Sequence, residues 1–171
     1  MIHKAVIAVT ILITAGTEAG SLPEGVNVIP VPLIISDSLA FSLDESDPIS
    51  DELFDSLGLS EFPNTGSHFT QYLHGKADIA GTPFLLLFFQ IYTEEIYGWL
   101  ISYSKDDQVI DWLSVYYWNS EGFVSRNGYV DTDGTIIVNE WLIDASGETT
   151  SIDTISLMEN GFFGVTGSTK D

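Results

Sequence analysis

The chain has 171 residues, room for one ordinary domain, and its 44% hydrophobic and 12% aromatic content supplies a core and argues against global disorder. Lys and Arg number 5 against 25 Asp and Glu, a formal charge of −20, which argues against nucleic acid and anionic membrane surfaces as partners. Cys is absent, so disulfides, thiolate nucleophiles, cysteine-ligated zinc and lipid attachment through Cys are excluded.

Residues 1–19 read as a cleavable signal peptide. Lys4 leads an apolar run from Ala5 to Ala15, too short to cross a bilayer as a helix, and Thr17-Glu18-Ala19 puts small residues at the −3 and −1 positions. The competing reading makes Ala5–Ile13, rich in Val and Ile, a buried first strand. Cleavage removes one base, Lys4, and one acid, Glu18, so the charge stays at −20. The expected location is outside the inner membrane, periplasmic or extracellular. No stable membrane span is expected.

Residues 20–35 hold Pro23, Gly25, Pro30 and Pro32 and read as an extended linker. Leu33-Ile34-Ile35 and Leu39-Ala40-Phe41 are candidate short strands. Residues 36–171 form the expected single β domain. Its first part, residues 36–62, carries eight acids and no base. One short helix is expected there: Asp47 as N-cap, Pro48 at the first position, and Asp51 and Glu52 near the positive helix end. Ile49, Leu53 and Leu57 make one stripe, with Phe54 beside it, and Gly58 supplies the stop.

From Phe84 the chain reads as strands over 84–92, 96–104, 109–118, 123–131, 135–144, 151–158 and 162–166, rich in β-branched and aromatic residues. The connections are short and carry turn residues, such as Asp131-Thr132-Asp133-Gly134 and Glu159-Asn160-Gly161. Short connections make neighbours antiparallel. The fold expected is mainly β: an up-and-down meander of about six to eight strands, curled, barrel-like or a sandwich, with one short N-terminal helix. Several strands are apolar on both parities, so the sheet needs cover on both sides. That cover comes from curling or from the acidic N-terminal segment; the third possibility is an exposed aromatic face, which would mark a binding surface.

Residues 129–140 partly match a calcium loop, with Asp131, Asp133, Gly134, Ile136 and Glu140 at positions 3, 5, 6, 8 and 12. Tyr129 stands at position 1 and offers no carboxylate, and the flanks are strands. A hairpin turn at Asp131–Gly134 explains the segment better, and Asp131, Asp133 and Glu140 remain weak metal candidates. His68 and His74 have no zinc spacing. Thr65-Gly66-Ser67-His68 is no nucleophile elbow. Glu94-Glu95 and Asp106-Asp107 fall at turns and read as solvated. No catalytic set and no cofactor is expected.

Trp99, Trp112, Trp118 and Trp141, with Tyr97, Tyr103, Tyr116 and Tyr117, concentrate in the central strands, and the four Trp and Tyr116 are the binding candidates. Exposed, they would stack on sugar rings or anchor a protein partner; buried, they are core. The expectation is a non-enzymatic binding domain whose partner is a basic protein or a carbohydrate. The alternatives are a periplasmic inhibitor or immunity-type protein for a basic enzyme, a carbohydrate-active hydrolase, and a weak calcium-binding module.

The lead-in Gly75-Lys76, the strand Phe84–Phe88, the hairpin Tyr103-Ser104-Lys105 to Ile110-Asp111-Trp112-Leu113, and Asp133-Gly134-Thr135-Ile136 resemble uncharacterised bacterial exported, lipoprotein-like β-meander proteins. The resemblance spans roughly residues 74–165. It implies export and a β fold, and no activity. Many of those proteins carry a Cys after the leader; its absence here means that membrane anchoring does not carry over.

Overall fold

A run such as Leu85-Leu86-Leu87-Phe88-Phe89 has no polar face to turn to water, so a strand built from it must be covered twice. The structure, a computed structural model, describes residues 26–43, 48–60, 62, 68–77, 79, 85–104 and 106–171. The proposed leader, both readings of Ala5–Ile13 and Asp47 lie outside the described residues. Nine strands are described: β1 (Leu33–Ile35), β2 (Thr70–Ala77), β3 (Leu85–Tyr92), β4 (Glu95–Tyr103), β5 (Val109–Asn119), β6 (Val124–Val130), β7 (Thr135–Asp144), β8 (Gly147–Leu157) and β9 (Phe163–Lys170). β2 to β9 follow one another in chain order, each antiparallel to the next, as an up-and-down meander. The sheet is curled and does not close, so the barrel expectation gives way to an open sheet.

One face of β2–β5 is covered by the curl. Leu85, Leu87 and Phe89 of β3, Ile96 and Leu100 of β4, and Tyr116 of β5 share a core with Val130, Ile136, Val138, Ile155 and Leu157 from β6–β8. The β8–β9 turn seats on this face: the Ser102 hydroxyl donates to the Gly161 carbonyl at 2.6 Å, and the Phe163 N–H donates to Asp111 at 3.0 Å. The opposite face carries Leu86, Phe88, Ile101 and Tyr103, and these pack against Phe54, Leu57, Leu59 and Phe62. Both expected sources of cover are therefore used, one on each face.

The second cover is built on helix α2 (Asp51–Ser56). It begins later than the sequence suggests. Ser50, not Asp47, caps it by accepting from the Leu53 N–H, and Gly58, at φ +70°, ends it. Six residues cannot hold a helix in isolation. Asp51 and Glu52 in its first turn contribute about 0.3–1 kcal/mol each. Each large apolar side chain buried contributes about 1.5–3 kcal/mol, so packing of Phe54, Leu57 and Phe62 holds the segment. The Tyr103 hydroxyl, deep in this core, donates to the Leu57 carbonyl at 2.9 Å.

Three other expectations change. Leu39-Ala40-Phe41 is not a strand; helix α1 (Asp37–Ala40) takes most of it, Ala40 enters the first core, and Asp37 accepts from the Tyr116 hydroxyl at 2.9 Å. The proposed linker is part of the fold from residue 26: Ile29 and Ile35 are buried, and Val28 bridges Lys76 at the edge of β2. β2 lies inside the stretch Ser60–Pro83, which has no strand pattern in sequence because Thr70, Gln71, His74 and Lys76 interrupt Tyr72, Leu73 and Ala77. No described helix is long and apolar enough to cross a membrane.

The curl has one seam. β5 and β6 share a single register pair, Tyr117 with Arg126, and beyond it β1 takes the edge of β6, pairing Ile35 with Gly128. Arg126 donates to the Ser114 hydroxyl of β5 at 2.7 Å and pairs with Glu140 of β7, so it rivets the seam from both sides. Gly128 lets the strands touch: a Cβ there would stand 2.9 Å from the Val115 carbonyl oxygen. Gly128→Ala should cost roughly 1–3 kcal/mol, because the nearest atom is backbone and cannot step aside. Urea unfolding measures this; a loss under about 0.5 kcal/mol would contradict the close approach.

Candidate functional site

Glu95, Tyr97 and Trp99 occupy alternate positions of β4, so their side chains leave the same face. Register sets Tyr117 of β5 opposite Tyr97 and Asn119 opposite Glu95. Toward α2 this face is sealed by Phe62, whose ring meets Trp99 at 5.1 Å and Trp112 at 5.5 Å. Away from α2, Tyr97, Tyr117 and Phe69 are only half-buried and Tyr92 is exposed. Their rings form one continuous patch: Tyr97 lies 4.9 Å from Tyr117, 6.2 Å from Phe69 and 6.4 Å from Trp99, and Phe69 lies 5.2 Å from Tyr92.

The patch ends in a cleft between two turns. Thr93-Glu94 connects β3 to β4 in two residues, with Thr93 at φ +23°. The β5–β6 turn is stitched to it, since the Ser120 N–H donates to the Glu94 carbonyl at 3.0 Å and its hydroxyl to the Glu94 carboxylate at 3.1 Å. A cleft of about 430 Å³ is lined by Tyr92, Thr93, Glu94, Glu95, Asn119, Ser120 and Glu121.

Glu95 is the fixed charge here. Tyr97 donates to its Oε2 and Tyr117 to its Oε1, each at 2.9 Å. Both carboxylate oxygens thus face a phenol, which orients the anion. The effect on the phenols is reciprocal: burial first, then the hydrogen bond and charge of Glu95, raise the Tyr97 and Tyr117 hydroxyls above the usual tyrosine pKa of 10.0. Three glutamates and no base line the cleft. Flat aromatic faces beside oriented carboxylates suit a guanidinium or ammonium group, and the rings also offer stacking surface.

The five aromatic candidates do not form one surface. Tyr116 is fully buried in the first core and is corrected from binding candidate to core residue. Trp99 and Trp112 share the α2 side through Phe62, and only Trp99 continues into the patch. Trp118 packs against the first core, with its ring 5.2 Å from Phe41. Trp141 sits far along β7, its indole N–H donating to Glu148 at 2.5 Å. The metal candidates separate as well. Asp131 and Asp133 spend carboxylate oxygens on the N–H groups of Thr132 and Thr135 within the turn, while Glu140, further along β7, is taken by Arg126. No metal-ligating group of three acids or histidines occurs among the described residues. His74, half-buried on β2 beside Phe89, has its pKa lowered from 6.5 by burial.

Sequence reasoning named Tyr117 only among the strand aromatics, read Glu95 as a solvated turn residue, and did not single out Tyr92 or Phe69. A signal for Glu95 was present: it begins the Glu95-Tyr97-Trp99 alternation rather than floating in a turn. No protein-family model matches the chain, and no curated protein and no solved structure matches it.

Glu95→Gln removes the charge and keeps the shape. Alkaline titration followed by tyrosinate absorbance should show two phenols ionising at lower pH than in the parent, still above 10.0 because burial persists. An unchanged titration curve would contradict the clamp.

Proposed function

We propose that the protein is an exported, non-catalytic binding domain that captures a cationic partner protein on the Tyr92–Tyr97–Tyr117 face and its acidic cleft. The observation that carries this reading is the Glu95 carboxylate, oriented by two phenols and flanked by Glu94 and Glu121. A projecting Arg or Lys of the partner meets both a ring face and a fixed anion there. The formal charge of −20 adds long-range attraction, which speeds encounter and weakens with salt. Control of a basic enzyme, in the manner of a periplasmic inhibitor or immunity protein, is the form of the function that this charge suits best. The resemblance to exported β-meander proteins supports the location outside the inner membrane.

A hydrolase reading is less favoured, since both Glu95 oxygens are already engaged by the Tyr97 and Tyr117 hydroxyls. A carbohydrate ligand is the second reading, and one feature favours it: Tyr97 and Trp99 lie nearly parallel, 12° apart, along β4, as a platform for a sugar ring.

The test separates local recognition from bulk charge. A Lys/Arg-rich peptide should bind the parent, and Glu94→Gln with Glu121→Gln should weaken it at least about tenfold. Glu52→Gln with Asp55→Asn, an equal charge change on exposed α2 positions, should leave binding within about twofold. Equal loss in both pairs would reduce the effect to net charge. Binding of neutral oligosaccharide, lost in Tyr97→Ala, would favour the carbohydrate reading instead.

A further inference from the structure

The two edges of the sheet are treated differently. The edge of β2 is covered: Lys76 exchanges backbone hydrogen bonds with the 27–29 segment, and the Ile49 N–H donates to the Gln71 carbonyl. Among the described residues β9, the other edge, pairs with β8 alone. It is eight residues long, holds no proline and no acid, carries one bulge at Thr166, and has Lys170 at its end as its one charge. Natural edges are blunted by proline, inward charges, lysines or bulges; here the bulge falls before Gly167 and leaves residues 167–170 in regular register, a template for another strand. The backbone register shows which groups are free. Asp171 and Thr150 exchange both hydrogen bonds, so by alternation the N–H groups of Ser168 and Lys170 point away from β8.

The surroundings specify what would fit. Val165, 68% exposed, stands opposite buried Ile155, so the first core ends here at an open rim. From Asp144 to Asp171 the chain carries five acids (Asp144, Glu148, Asp153, Glu159 and Asp171) against the single base Lys170. A second copy of this chain would bring its own −20 to that edge and be repelled.

We propose that the outer edge of β9 is a second docking site, which accepts an extended strand of a partner protein that alternates apolar and cationic residues. Main-chain hydrogen bonds to Ser168 and Lys170 set the alignment, an apolar residue covers Val165, and the cationic residues face the carboxylates of the β7–β9 turns. The site is independent of the cleft at the β3–β4 turn.

The probe is an acetylated, amidated octapeptide alternating Val and Lys, titrated into the full chain with backbone amide NMR as the readout. The expected result is perturbation concentrated on β9, with the free Ser168 and Lys170 amides becoming slow to exchange. A peptide of the same sequence, N-methylated at alternate residues on its pairing edge, should bind at least about tenfold more weakly. Ser168→Pro should do the same, and if that variant fails to fold, the N-methylated peptide decides alone. Equal binding of the two peptides would overturn the proposal as mere charge attraction. No binding at about 1 mM peptide would overturn it, as would shifts confined to the Glu94–Glu121 cleft. Concentration-dependent dimerisation through β9 without peptide would assign the edge to a second copy and overturn it too.

Discussion

The constraint on which this structure rests is that two neighbouring strands, β3 and β4, have no wet face along half of their length. Leu85 to Phe89 of β3 and Leu100 to Tyr103 of β4 are fully buried or nearly so on both sides. Everything else follows from supplying two covers. The curl of β6–β9 provides one, at the cost of a seam where β5 and β6 nearly part. The acidic segment through α2 and Phe62 provides the other, with its apolar side chains inward and Asp51, Glu52 and Asp55 outward. The acid run is thus a surface laid over a structural plug, and its helix exists because the plug packs.

The same arrangement makes the aromatic patch. The α2 segment seals only the half of its face that carries Leu86, Phe88, Ile101 and Tyr103. The rest of that face continues the same alternation, with Trp99, Tyr97 and Tyr117, and meets water at the β3–β4 end. Rings needed for burial at one end of a strand become contact surface at the other. Glu95 converts that surface from a hydrophobic liability into an oriented acidic site, since two phenols donate to it.

The β meander was legible because period-two patterning, β-branched residues and turn residues all agree from residue 85 onward. The need for cover on both faces was legible from the double parity of the same strands. Three things were not. β2 hid because polar residues interrupt Tyr72, Leu73 and Ala77, with Gly75 at a bulge against the 27–29 segment. The helix start shifted because Asp47 and Ser50 are both competent caps, and the inward position of Phe54 and Leu57 decides between them. The site was obscured because composition reports how many aromatics a strand contains, not where a plug stops. Tyr116 and Tyr117 are neighbours in sequence, yet one is core and the other is patch, and only register across Gly98 and Tyr97 separates them.

Native-state hydrogen exchange tests the two-sided burial most directly. The account predicts that the amides of Leu86–Phe89 and Leu100–Tyr103 exchange last, only through global unfolding, while those of the exposed β7–β8 tip at Ala145–Glu148 exchange early. If the β3 and β4 amides exchange as readily as that tip, the strands are not sealed on both faces and the account fails.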